Sequence, residues 1–223
     1  VTEQSEADQA WPPSTAQGDP AFKVDTSSFA ASDTDVAALI AEYPLAWVLP
    51  RRADAAQPHL LPLLGRIDAT GRITALIGHM ARRNPLVRAF EESPEALILF
   101  TGPQGYVSTG AVSNPHWAPT WNFAQLRVEA NVYFEPERSG EALRALTEAM
   151  DAEEQTGWQP RDVGPRYEAM ERAIIAFRAE VTRLEARFKL GQDESAESLR
   201  EIIDRHPDRT LARWMQRANR DRL

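Results

Sequence analysis

Three segments of the sequence set hydrogen-bond donors and aromatic rings where apolar runs break off, and their residue types could do chemistry. In Gly78-His79-Met80-Ala81-Arg82-Arg83-Asn84-Pro85, a strand-like run from Ile73 gives way to guanidinium groups and then to a helix start. Backbone N–H groups at a helix N-terminus and bidentate arginine donors can face one phosphate together. The plainer alternative is a solvated turn in which Asn84 caps the helix. In Ala118-Pro119-Thr120-Trp121-Asn122-Phe123, two aromatics flank an amide. The rings could lie against a planar heteroaromatic while Asn122 bonds its edge. Equally, Trp121 and Phe123 could be core or subunit contacts, with Asn122 satisfying a loop. The third segment is Arg187-Phe188-Lys189-Leu190-Gly191-Gln192-Asp193. As a strand it would put Arg187 and Lys189 on one face and Phe188 and Leu190 on the other; as a helix it would leave the basic residues on a wet surface.

Other chemistries find little support. The sequence has no Gly-rich Lys-Ser/Thr phosphate loop, no Gly-x-Gly-x-x-Gly, no His-Glu-x-x-His and no Gly-x-Ser-x-Gly. With no cysteine there is neither a disulfide nor thiolate chemistry, and the four histidines, His59, His79, His116 and His206, lack metal-ligand spacing. No metal site is expected.

The 33 acidic residues against 25 Lys and Arg give a formal net charge of -8. That balance argues against a sequence-independent grip on DNA phosphates, so direct nucleic-acid binding is not expected. Local basic clusters, at Arg51 and Arg52, at Arg82, Arg83 and Arg88, and after Arg205, could still hold one small phosphate ligand. Arg209, Arg213, Arg217 and Arg220 read as a solvated helix face. No apolar run approaches the roughly 20 residues that cross a bilayer. The N-terminal residues Thr2, Glu3 and Gln4 do not read as a secretory leader, and the expected location is cytoplasmic.

The elements that must position these segments are legible in outline. Residues 1–27, rich in Pro, Gly, Ser and Gln, read as a flexible extension. Val36, Leu39, Ile40 and Tyr43 form one helical face ending before Pro44, with Ser32 or Asp33 as cap. Short apolar runs follow at Leu45 to Leu49, Leu60 to Leu64, Ile73 to Ile77 and Ala96 to Phe100, and read as strands. From Leu126 to Phe134 apolar and polar residues alternate, the signature of a strand with one buried face. A short helix is expected from Leu86 to Glu92, after Pro85. From Ser139 the pattern turns helical, with Leu143, Leu146 and Met150 on one stripe and Tyr167, Met170, Ile174 and Phe177 on another. Residues 177–190 fit both periods. Two helices are expected near Glu197 to Ile203 and Thr210 to Asn219. Strands at hairpin spacing with irregularly placed helices point to an α+β chain built on a barrel or sandwich, not a doubly wound sheet.

In order and spacing, four groups of residues resemble the PaiB-type FMN-binding family of negative transcriptional regulators. They are Gly78-His79-x-x-Arg82-x-Asn84-Pro85; Phe100-Thr101-Gly102-Pro103 followed by Tyr106-Val107-Ser108; Pro119-Thr120-Trp121-Asn122-Phe123; and Lys189-Leu190-x-Gln192. The resemblance spans roughly Asp33 to Gln192. It implies an FMN-binding split β-barrel with peripheral helices, dimeric; the barrel domain is expected over 28–194, and the two helices read from periodicity make a helical tail over 195–223. It makes the third segment a late barrel strand and places the flavin in a groove between two subunits. Arg82, Asn84 and Lys189 would hold the phosphate and ribityl chain, and His79, Trp121, Asn122 and Gln192 would lie at or near the flavin. The functions to weigh are a flavin-dependent oxidoreductase on a small molecule, with a nicotinamide reductant docking transiently, a flavin-sensing transcriptional regulatory protein without turnover, or a dimeric split barrel that has lost its flavin. The chain departs from the family pattern at Thr109-Gly110-Ala111-Val112-Ser113-Asn114, where Pro-Ser-Trp-Tyr and a Lys are usual. It departs again at Phe123, Gly191 and Asp193, where the family has Tyr, Ser and Asn.

Overall fold

A computed structural model of the chain describes residues 29–52, 57–151 and 160–223. The flexible extension expected over residues 1–27 lies outside them. Helix α1 (Asp33–Glu42) starts at Ser32, whose Oγ accepts the Asp35 N–H at 3.1 Å, and stops ahead of Pro44. Strands β1 (Leu45–Pro50), β2 (His59–Ile67) and β3 (Ile73–Ala81) follow. The β2–β3 hairpin turns on Asp68, whose carboxylate accepts the Thr70 and Arg72 N–H groups, and on Gly71 at φ 87°. Helix α2 (Pro85–Glu92) leads to β4 (Glu95–Val107) and β5 (Thr120–Phe134). Helices α3 (Ser139–Asp151) and α4 (Pro165–Ala173) precede β6 (Ile174–Lys189), and α5 (Ala196–Arg205) and α6 (Arg209–Ala218) complete the order.

The six strands close into an antiparallel barrel in the order β1-β2-β3-β6-β5-β4. Closure gives each of these strands a hydrogen-bonded neighbour on both sides, with register shifts at Arg66/Ile67, Thr101/Gln104 and Glu129/Ala130. Alternation sends Val48, Leu63, Leu76, Ile98, Phe100, Leu126, Val128 and Phe177 into the interior, all essentially buried. Each such side chain stabilises the fold by about 1.5–3 kcal/mol on burial. Leu199 and Ile202 of α5 and Leu211, Trp214 and Met215 of α6 extend the same core.

Two expectations are corrected. Ile174 and Phe177 do not continue a helical stripe with Tyr167 and Met170: α4 ends at Ala173 and the chain turns directly into β6. The reason is pairing, since β6 bonds to β3 from Ile174 to Glu180 and to β5 from Phe177 to Lys189, and two-sided ladders override local periodicity. The arginines of α6 are not simply solvated. Arg213 makes two bonds to the Glu42 carboxylate, at 3.0 and 2.7 Å, and Arg217 Nε reaches Asp35 at 2.6 Å, tying α6 to α1. Among the described residues no helix is long and apolar enough to cross a membrane.

The barrel's outer face is unusual. Trp47 pairs with Leu60 on one side and Leu99 on the other, so the three lie abreast, and Trp47 and Leu60 are both 44% exposed. Leu45 is exposed beside them, and Met150 of α3 is exposed as well. Alternation in an antiparallel sheet normally puts polar residues on such a face.

Candidate functional site

The seven residues picked out in the sequence fall into two groups. His79, Arg82 and Asn84 lie where β3 leaves the barrel. Because Leu76, Gly78 and Met80 are buried at alternate positions of β3, His79 between them points to the outer side, paired with Ala176 of β6. Gly78 lets the strands approach closely, since a Cβ there would sit 2.7 Å from Leu63 Cδ2. His79 Nδ1 is buried without a hydrogen-bond partner, and burial pushes the imidazole pKa below its ordinary value. The ring is therefore neutral at neutral pH, with one nitrogen awaiting a partner. Arg82 is fixed by its N–H to Ala173 O at 2.9 Å and by Nε to Arg172 O at 3.0 Å. It lines an open recess of about 240 Å³ with Ser139, Glu168, Glu171 and Arg172. Asn84 is the N-cap of α2, with Oδ1 accepting the Leu86 N–H at 2.9 Å. Of the two readings of Asn84, capping is visible directly, and it leaves the amide nitrogen for another acceptor.

The second group lies at the far end of the barrel. Trp121 is 58% exposed, and its ring centroid stands 5.7 Å from that of exposed Tyr106, its cross-strand partner. Thr101, Gln104, Phe123 and Gln125 border the same face of Trp121 around an open recess of about 280 Å³. Lys189, the last residue of β6, donates to Thr120 Oγ1 at 2.8 Å and stands 3.5 Å from the Asp193 carboxylate. Gln192 folds back on its own turn: Oε1 accepts the Leu190 N–H at 2.7 Å and Nε2 donates to Phe188 O at 2.6 Å. Its carboxamide shapes the Lys189 turn and does not project outward. Gly191 in that turn has φ 90°, and a Cβ there would meet Leu199 Cδ1 at 2.8 Å, which accounts for glycine where the family has serine. Asn122 is 1% exposed, its Nδ2 3.5 Å from Met215 Sδ and its Oδ1 without a partner.

Sequence reading missed how far the last helices build this second group. Asn219 donates to Leu190 O at 3.0 Å, and Arg222 to Gln192 O at 2.9 Å. The segment that departs from the resembled pattern serves the same assembly through the Ser113 N–H, which bonds Glu201 at 2.7 Å, and just beyond it Trp117 Nε1 bonds Glu194 at 2.7 Å. No local pattern announces bonds between segments about 30 to 90 residues apart. His206 is also buried, with Nδ1 accepting the Asp208 N–H at 3.1 Å and Nε2 unpartnered beneath Gly105.

The donor set suits a ligand that carries both a phosphate and a planar ring. Arg82 and Lys189 are cations with unused donors, His79 Nδ1 and Asn122 Oδ1 are buried atoms without partners, and Trp121 with Tyr106 offers an exposed aromatic surface. Within one chain the two groups lie at opposite ends of β6, His79 paired with Ala176 and Phe123 with Lys189.

Comparison with known proteins agrees with this chemistry. Residues 26–183 match the model of a family described as "Putative FMN-binding domain". The chain is 25% identical over 131 residues to the Protease synthase and sporulation protein PAI 2 of Bacillus subtilis, a match covering 58% of this chain and 63% of that protein. It thus spans under two thirds of that relative's length. Among solved structures, the flavocytochrome Anf3 of Azotobacter vinelandii superposes with a TM-score of 0.52 at 14% identity, covering 72% of this chain and 69% of that one. The FAD and heme binding protein of Mycobacterium smegmatis gives 0.50 at 16% identity, with 71% of each chain covered. These two similarities establish the shared barrel fold.

Proposed function

Because this chain belongs to the PaiB-type family of FMN-binding domains, with FMN as its cofactor, we propose that two copies join through the outer barrel face and hold FMN between them as a flavin-dependent oxidoreductase acting on a small molecule. The observation that carries this reading is the pairing of an apolar outer face with two donor groups that one chain keeps apart. Trp47, Leu60 and Leu45 together form a surface that a second copy would cover. In such a dimer Arg82 and the amide nitrogen of Asn84 from one copy face Lys189 from the other, and a phosphate would be held by charge-assisted bonds that offset its lost hydration.

Bound FMN supplies electron and hydride transfer, and the protein's part is to position it. His79, neutral and short of one hydrogen bond, would offer Nδ1 as an acceptor at the flavin or ribityl edge. Trp121 and Tyr106 would cover a ring face and keep water from it. Asn122 and Gln192 act from beneath, Asn122 by seating the Trp121 strand and Gln192 by fixing the Lys189 turn. A nicotinamide reductant would dock in the recess beside Trp121. The ion pairs that occupy Arg213 and Arg217 favour this reading over one through nucleic acid. A flavin-sensing role without turnover is the second reading, favoured by the bonds from Asn219 and Arg222 that link the Lys189 turn to the last helices.

Purified protein reconstituted with FMN should be yellow and dimeric and should oxidise NADH or NADPH. Trp47→Glu, which puts a charge at the centre of the apolar face, should give a monomer in sedimentation that retains no flavin. A wild-type monomer with bound flavin would refute the interfacial site, and a flavin-loaded dimer inert to both nicotinamides would support the sensing role.

A further inference from the structure

The Lys189 ammonium already has an anion beside it. Asp193 Oδ2 forms an ion pair with it at 3.5 Å from Nζ, and Thr120 Oγ1 accepts an N–H bond at 2.8 Å. The side chain of Lys189 is only 16% exposed, so its charge is confined to one place, whereas that of Asp193 is 41% exposed and can turn to water. An ammonium has three donors and Thr120 takes one, so donors remain for an incoming ligand. The turn holding Asp193 is well braced: Gly191 supplies the positive φ, the Gln192 side chain bonds Phe188 O and the Leu190 N–H, and Arg222 clamps the Gln192 carbonyl. The carboxylate is thus held within reach of the cation that the dimer reading assigns to the phosphate.

We propose that Asp193 is a built-in competitor for Lys189, and that displacement of its carboxylate by the flavin phosphate sets the preference of this chain for phosphorylated over unphosphorylated flavin. The inference rests on the placing of Lys189 at the phosphate. A phosphate carrying nearly two negative charges meets a site whose local charge Asp193 has cancelled. It must push that carboxylate into solvent or bind beside a like charge, and both weaken its hold. An unphosphorylated flavin brings no such charge and is indifferent to Asp193. Selectivity between FMN and riboflavin therefore reads the competition directly, where a merely structural residue would change both affinities alike.

The experiment measures FMN and riboflavin dissociation constants of the full chain by flavin fluorescence for wild type, Asp193→Asn, Asp193→Ala, Lys189→Ala and the Lys189→Ala/Asp193→Asn double variant. Asp193→Asn should tighten FMN on the order of tenfold, leave riboflavin within about twofold, and steepen the loss of FMN affinity with salt. Asp193→Ala serves as the second variant should the amide refill the contact, and should show the same gain. In the Lys189→Ala background the gain should vanish. If Lys189→Ala removes the preference for FMN while neither Asp193 variant tightens FMN, or if they tighten riboflavin equally, the competitor is overturned and the phosphate site stands. If Lys189→Ala leaves the preference for FMN intact, the phosphate assignment fails and the competitor fails with it.

Discussion

Arg82 and Lys189 flank opposite ends of one strand: the Arg82 N–H bonds Ala173, the residue before β6, and Lys189 is the residue on which β6 ends. Sixteen residues of strand separate them, on the order of 50 Å of chain contour. In the dimer proposed above, a phosphate held by both draws them from two copies.

This arrangement makes a prediction that a site within one chain does not. Arg82→Ala and Lys189→Ala homodimers should each lose FMN. In a heterodimer of the two variants, one site lacks both cations and the other keeps both. Equimolar co-refolding should thus recover about one quarter of wild-type FMN binding, because about half of the dimers are mixed and each carries one intact site. Titration of bound flavin against protein checks this, and no recovery in a sample shown to contain mixed dimers would place both cations in separate sites.

How much of this is legible in the sequence differs by element. The Leu126 to Phe134 alternation and the caps at Ser32 and Asn84 were legible because period and capping chemistry are local. The start of β6 was not. Tyr167, Met170, Ile174 and Phe177 keep helical spacing, and only the β3 and β5 partners, far away in sequence, make Ile174 extended. Arg82 and Lys189 were visible as cations, but their separation depends on that misplaced strand start. The role of α6 was hidden for the same reason, since Glu42 and Asp35 lie more than 170 residues from the arginines they bind.

Glu42 holds α6 to α1 and should show it in the acid limb of stability. Its carboxylate accepts two bonds from Arg213 and one from Trp214 Nε1 at 3.0 Å, and the Arg213 guanidinium holds its pKa below the usual value. The folded value is depressed, so this contribution is complete above the ordinary carboxylate range and is lost as pH falls through the lowered pKa. Glu42→Gln should cost about 1 kcal/mol at pH 7, allowing for solvent screening of a half-exposed Arg213. The deficit should shrink toward pH 3. Urea midpoints of both proteins at pH 7 and pH 3 test it; a deficit independent of pH would mean that packing, not charge, is what the substitution removes.

His79 acts in a different window. Burial lowers its pKa, so the folded chain resists a proton that the unfolded chain accepts near pH 6.5. The unfolded state then binds more protons, and stability must fall as pH drops below that value toward the depressed folded one. The carboxylates with lowered pKa values, Asp35, Glu42, Asp68, Glu141 and Glu201, titrate below their ordinary range and cannot produce a slope near pH 6. Wild type should thus lose stability between pH 7.5 and pH 5.5, and His79→Asn, which keeps a polar group but no titration there, should flatten that part of the curve. Because Nδ1 has no partner in the isolated chain, a flavin that supplies one should steepen the wild-type slope more than the variant's, the titration of the flavin phosphate near pH 6 adding equally to both. Chemical denaturation across this range with and without FMN measures both slopes, and equal slopes for wild type and variant would remove His79 from the account.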